Sequence, residues 1–147
     1  MIVISDSNII FSCFYAPNGV IANILCNKKN PIQFIAPDYL LEEVEEHLPE
    51  IMDKVNMTKK EALTFLKEVT KNITFYKLEQ IPSKYTSQAK KIVRNIDIDD
   101  YPFVALHFQE GHKIWTCDFK LINGLKEEGL DICITTSELK SKTYKKS

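Results

Sequence analysis

Hydrophobic positions fall along this chain in short unbroken runs and in helical stripes, and the two alternate. Met1–Ser5 (MIVIS) is apolar and rich in β-branched residues, the pattern of a strand buried on both faces. Asp6, Ser7 and Asn8 interrupt it, and apolar residues resume through Tyr15. Asn18 and Gly19 signal a turn into a short helical stretch around Val20–Cys26. Ile32–Ala36 reads as a second strand closed by Pro37. Asp38 is placed to cap a helix from Tyr39 to about Leu48, with Leu40, Leu41, Val44 and Leu48 on one stripe. Thr58 and Glu61 have capping-box spacing and open a helix running to about Thr70. Ile73–Tyr76 is a third strand and Tyr85–Val93 a helix. Asp100–Gln109 is a firmer helix, with Pro102 in its first turn and Gly111 just past its end. A strand at Lys113–Thr116, a helix at Phe119–Glu128 closed by Gly129, and a short strand at Ile132–Ile134 complete the series. Strands alternating with helices predict an α/β fold whose parallel sheet is covered on both faces.

At 147 residues the chain fits one domain, and neither a repeat nor a linker divides it. We expect that domain to occupy residues 1–135, with 136–147 as a basic, frayed tail: residues 140–147 (KSKTYKKS) hold four lysines and no acid. The net charge of −1 neither demands a nucleic-acid partner nor excludes one, because a local patch decides phosphate contact. Cys13, Cys26, Cys117 and Cys133 form no CxxC pair and read as small buried hydrophobes of a reducing compartment. The opening apolar run is too short for a secretory signal, and no stretch approaches the roughly 20 apolar residues of a membrane span. The expectation is a cytoplasmic protein with no membrane segment.

What singles the chain out is where its acids fall. Asp6 directly follows the first strand, and Asp118 follows the fourth by one residue. Open α/β sheets bind ligands in the crevice at the carboxyl ends of their strands, so two distant segments aim a carboxylate at one place. Asp97, Asp99 and Asp100 stand at the start of the Asp100–Gln109 helix, where the chain should pass the same edge. Each acid alone could be a cap, and Asn8 could serve only an Asx turn. Several uncompensated carboxylates in one cleft, however, repel one another unless a cation neutralises them. On the Tyr39–Leu48 helix, Glu42 and Glu46 point away from the apolar stripe. Glu43 and Glu45 border it on opposite sides, and spacing does not choose between them.

A set of carboxylates without neighbouring His or Cys suits a hard cation, Mg²⁺ or Mn²⁺, rather than zinc. His47 and His112 lie away from these segments, and His107, inside the apolar Phe103–Phe108 run, reads as a core histidine. Such an ion orients and ionises a water and stabilises the leaving oxygen of a phosphodiester. No GxSxG or spaced Cys/His pair offers a covalent nucleophile. An aspartyl phosphatase would want a second Asp where Asn8 stands, and the four glycines never cluster into a phosphate-binding loop.

Four pieces, in order, resemble the PIN domain family: Ile4-Ser-Asp6-Ser-Asn8-Ile-Ile, Ala36-Pro-Asp-Tyr-Leu-Leu-Glu42-Glu43-Val, Ile96-Asp97-Ile-Asp-Asp100-Tyr-Pro-Phe-Val-Ala-Leu, and Ile114-Trp-Thr116-Cys-Asp118-Phe-Lys-Leu. The resemblance covers residues 1–135, and the Asp53–Arg94 middle resembles a PIN subgroup with a longer insert. It implies a three-layer α/β/α sandwich with a central, mainly parallel sheet. It further implies Mg²⁺- or Mn²⁺-dependent cleavage of RNA, as in VapC-like toxins of toxin-antitoxin pairs. Asp6, Glu43, Asp100 and Asp118 carry over as catalytic metal ligands, Glu43 because an aliphatic residue, Val44, follows it. Asn8 and Thr116 carry over as supporting polar residues, and Asp97 crowds the third piece closely enough to share the site. An RNA substrate, an antitoxin protein and a homodimer are the partners this implies. The rival readings are a PIN nuclease of RNA processing or DNA cleavage, and a non-catalytic PIN scaffold that binds protein or RNA.

Overall fold

The computed structural model describes residues 1–27, 29 and 31–144. Among the described residues, five strands alternate with eight α-helices: β1 (Ile2–Ser5), α1 (Ser7–Tyr15), α2 (Val20–Cys26), β2 (Gln33–Pro37), α3 (Tyr39–Val55), α4 (Lys59–Thr70), β3 (Ile73–Tyr76), α5 (Ser83–Val93), α6 (Tyr101–Glu110), β4 (Ile114–Trp115), α7 (Phe119–Glu127), β5 (Cys133–Ile134) and α8 (Thr136–Tyr144). Short 3-10 turns lie at Leu78–Gln80 and Ile98–Asp100. The strands form one parallel sheet in the order β3-β2-β1-β4-β5. The chain adds β2 and β3 on one side of β1, then returns to add β4 and β5 on the other. The reversal falls between β1 and β4, which pair Ile4 with Ile114 and Ser5 with Trp115. Side chains leaving the carboxyl ends of these two strands therefore share one crevice.

The sheet is sealed on both faces. Val3, Ile4, Phe34, Ile35, Ala36, Ile114 and Trp115 are all buried, so the strands read as apolar runs rather than alternating ones. The helix α6 is buried through Phe103–Leu106, and Gly111 ends it in the left-handed region at φ 79°. The Thr58–Glu61 capping box forms with both of its hydrogen bonds.

The apolar stretch after Asp6, to which the sequence assigns no element, is the helix α1, and Asp6 caps it by accepting from the Ser7 amide at 2.8 Å. Several local expectations differ from what is observed. The helix α3 does not stop before Pro49 but runs through it to Val55, holding Ile51 in the core. Asp38 makes no cap bond to α3; its carboxylate accepts instead from the Leu78 amide at 3.0 Å, tying α3 to the segment after β3. Asp100 makes no cap bond either: it sits in helical conformation at the end of the Ile98–Asp100 turn, which Asp97 caps. The segment expected as a frayed tail is helical as α8, anchored by the buried Leu139 and by a Trp115-to-Thr136 hydrogen bond of 3.0 Å. The last three residues of that tail, 145–147, lie outside the described residues. Cys13 and Cys133 are buried, whereas Cys117 is exposed, since the β4–α7 connection turns it away from the core.

Candidate active site

The end of β1 delivers Asp6 into the crevice, where it is 3% exposed. One of its oxygens accepts from the Ser7 amide. The other accepts from the Thr116 hydroxyl at 2.7 Å and from the Asn8 side-chain amide at 3.2 Å. Thr116 is fully buried; its hydroxyl oxygen also accepts from Asn8 at 3.1 Å and from the Asp118 amide at 3.0 Å. Asn8 closes the circuit by accepting from the Cys117 amide at 3.2 Å. Asp6, Asn8 and Thr116 thus lock the end of β1 to the β4–α7 turn and fix where Asp6 points.

Asp118 caps α7, accepting from the Lys120 and Leu121 amides at 3.0 and 3.3 Å. Its charge is felt by both Asp6 and Asp100. The turn before α6 carries Asp100 into the buried interior, 8% exposed, and leaves its Oδ2 without a hydrogen-bond partner. From α3, Glu43 reaches the same place, and its Oε1 is likewise buried without a partner. Glu45 is exposed on the far side of the apolar stripe. Packing, rather than spacing, brings one glutamate in and leaves the other in water. Asp97 and Asp99 are exposed at the rim, Asp97 spending one oxygen on the Asp99 amide at 3.0 Å.

Crowding shows in the acidity of these groups. Burial pushes the Asp6 carboxyl up to about 6; hydrogen bonds from Thr116 and Ser7 oppose the rise, and the Asp118 charge adds to it. Burial pushes Glu43 up to about 7, with a Ser7 hydrogen bond in opposition and the charges of Asp6, Asp99 and Asp97 adding. Asp100 is pushed up to about 8 by burial, then by Asp6, Asp97, Asp118 and Glu43. The three most buried acids therefore stand well above the usual carboxylate range, for the reason expected of like charges gathered out of water.

Among the described residues, no three His, Cys, Asp or Glu side chains form a ready-made metal-binding group. A cation of the Mg²⁺ kind does not require one, because it keeps several waters and binds through one or two carboxylates. The donor set fits it on two counts: the oxygens are hard, and the two without partners, on Glu43 and Asp100, face the same cluster. Ser7 was not foreseen. Lying between Asp6 and Glu43, it bonds to both, and only its place beside Asp6 could have hinted at this.

A family model described as PIN domain matches residues 3–141. The chain belongs to the PIN domain family. The match takes in most of α8, past residue 135. Among solved structures, the chain is similar to the crystal structure of VapBC2 from Rickettsia felis bound to a DNA fragment from their promoter. The TM-score is 0.63 at 12% identity, over 92% of this chain and 97% of that one. That likeness is one of fold, and it agrees with the parallel five-stranded sheet flanked by helices. A comparison with curated proteins gives no match.

Proposed function

We propose that this PIN domain is a divalent-metal-dependent endoribonuclease, with Asp6, Glu43, Asp100 and Asp118 holding Mg²⁺ or Mn²⁺. The observation that carries the reading is the pair of buried, unpartnered carboxylate oxygens on Glu43 and Asp100, in one crevice with Asp6. A folded protein rarely leaves such atoms unsatisfied without a ligand to meet them. A cation bound there supplies the positive charge that lets the acids ionise and lowers the pKa of a water for attack on phosphorus. Asn8 and Thr116 orient Asp6, and Ser7 spans Asp6 and Glu43. Asp97, at the rim, adds negative charge that draws the cation in.

RNA as the substrate and a toxin role, with an antitoxin protein as partner and a homodimer as the assembled form, extend the same proposal. The family and the fold likeness to a VapBC toxin-antitoxin protein support the nuclease class, the toxin role and the antitoxin partner. Among the described residues no single helix is long and apolar enough to cross a membrane, and a cytoplasmic site of action goes with the proposal. The test is cleavage of single-stranded RNA by the purified chain with Mg²⁺ or Mn²⁺, with EDTA, and by Asp6→Asn. Metal-dependent cleavage lost in the variant supports the reading; equal cleavage by the variant, or indifference to EDTA, rejects it. Growth arrest on expression separates a toxin from a PIN nuclease of RNA processing or DNA cleavage.

A further inference from the structure

The helix α5, with the residue that caps its end, carries Lys84, Lys90, Lys91 and Arg94 and no acid. All four cations are exposed, and among the described residues none is in an ion pair. At 100° per residue they fall within an arc of about 120°, opposite the buried Ala89 and Val93. A basic helix face is ordinarily just solvated, and the two helices that precede it in sequence show what that looks like. The helix α4 mixes Lys59, Lys60 and Lys67 with Glu61 and Glu68, while α3 carries five glutamates. What sets α5 apart is where its stripe leads. The Lys90 ammonium stands 4.7 Å from the centre of the Tyr101 ring, and Tyr101 directly follows the buried Asp100. Tyr39, at the start of α3, lies within electrostatic reach of Tyr101, Glu43 and Asp99. Two partly buried tyrosines therefore stand at the rim of the acidic crevice, one of them holding a cation of the stripe.

We propose that α5 is the phosphate track for a single nucleic-acid strand, with Lys90, held over Tyr101, guiding the backbone into the acidic crevice. From Lys84 to Arg94 the stripe runs about 15 Å along the helix. That length meets several successive phosphates of one strand. Cations along a backbone beside aromatic rings that meet unstacked bases are the combination that holds single strands. The inference rests on the nuclease reading only for the strand's destination; the track itself is read from binding.

The experiment measures binding of the full chain to a fluorescent single-stranded RNA in EDTA, across a series of salt concentrations. The parent is compared with Lys84→Gln/Lys90→Gln/Lys91→Gln/Arg94→Gln and with the control Lys59→Gln/Lys60→Gln/Lys67→Gln, circular dichroism confirming that each is folded. The α5 variant should bind more weakly, and its slope of log affinity against log salt should flatten by about 0.7 per contact, about 3 in all. Lys90→Gln alone should flatten it by about 0.7. The α4 control should leave the slope unchanged. Equal loss in both multiple variants, no binding by the parent, or tighter binding to duplex than to single strand each overturns the track. If the parent cleaves RNA with Mg²⁺ and the α5 variant binds and cleaves equally well, the track falls and the nuclease stands. If α5 governs binding but nothing is cleaved, the nuclease reading falls and the track stands.

Discussion

The acidic crevice has a floor and a rim, built from the same residue types and behaving oppositely. On the floor, Asp6, Glu43 and Asp100 are withdrawn from water and their carboxyls are pushed up to about 6, 7 and 8, two of them with an oxygen that meets nothing. On the rim, Asp97 and Asp118 each spend an oxygen capping the segment that follows them, as on the floor only Asp6 does, through the Ser7 amide. A carboxylate that caps a helix or turn stabilises the fold whether or not a ligand arrives. A carboxylate buried among its own kind costs the fold stability, and a cation offsets that cost. The floor is thus where function is set against stability, and the rim is where the two coincide.

The largest expected effect is on activity. Asp100→Asn and Asp6→Asn should each lower metal-dependent cleavage by on the order of 10²–10³-fold, the scale of removing one preorganised electrostatic group. The same Asp100→Asn should raise the melting temperature of the metal-free protein above pH 8, since it removes a charge the interior cannot pair. At this chain length each kcal/mol gained moves the midpoint by about 2–4 °C. A variant that loses both activity and stability would place Asp100 with the rim.

The second effect is a pH dependence whose sign the floor fixes. Carboxyls raised in the folded state hold protons that the unfolded chain has released, so folding binds protons between the two values. The contribution of these three acids to the stability of the metal-free protein should be fully present below about pH 4, where the unfolded carboxyls are protonated too. It should fall as pH rises through about 6, 7 and 8, where Asp6, Glu43 and Asp100 ionise in turn. Mg²⁺ should therefore raise the melting temperature more at pH 8 than at pH 5. Thermal melts at both values, with and without the ion, check it; an ion effect independent of pH would detach the cation from these acids.

Smaller effects test the boundary between floor and rim. Thr116→Val removes the hydroxyl that fixes Asp6 and should weaken metal affinity by about 10–100-fold, the usual scale for groups that orient a ligand. Isothermal titration with Mn²⁺ reads this directly. Asp118→Ala loses a helix cap and should cost about 0.5–2 kcal/mol in denaturant unfolding even without metal, which substituting Glu43 or Asp100 should not do. Glu45→Gln, in water beyond the apolar stripe, should change neither activity nor stability, and a large loss there would reopen the choice between the two glutamates.

How much of this was legible in the chain differs by residue. Asp6 and Asp118 were visible because a strand followed by an acid is a local pattern, and strand ends in α/β sheets face ligands. Asp100 was visible as an acid at a helix start near the same edge, with capping as its alternative role, because burial cannot be read from three aspartates within four residues. The continuation of α3 past Pro49 and the docking of α8 were hidden for the same reason: Ile51 and Leu139 repay in core contacts what local propensity disfavours.

The sequence by itself determined the order and kind of the elements, since hydrophobic period is a property of neighbouring residues. It also placed carboxylates at strand ends and helix starts. Only the tertiary structure decided that β1 and β4 are neighbours, with the winding reversing between them and Asp6 brought against Thr116. It also decided that Glu43 rather than Glu45 is drawn in, and that Ser7 lies between two acids. The physical reason is that strand order and helix docking depend on how distant apolar faces fill one core. The desolvation that gives these acids their unusual acidity exists only once that core has closed.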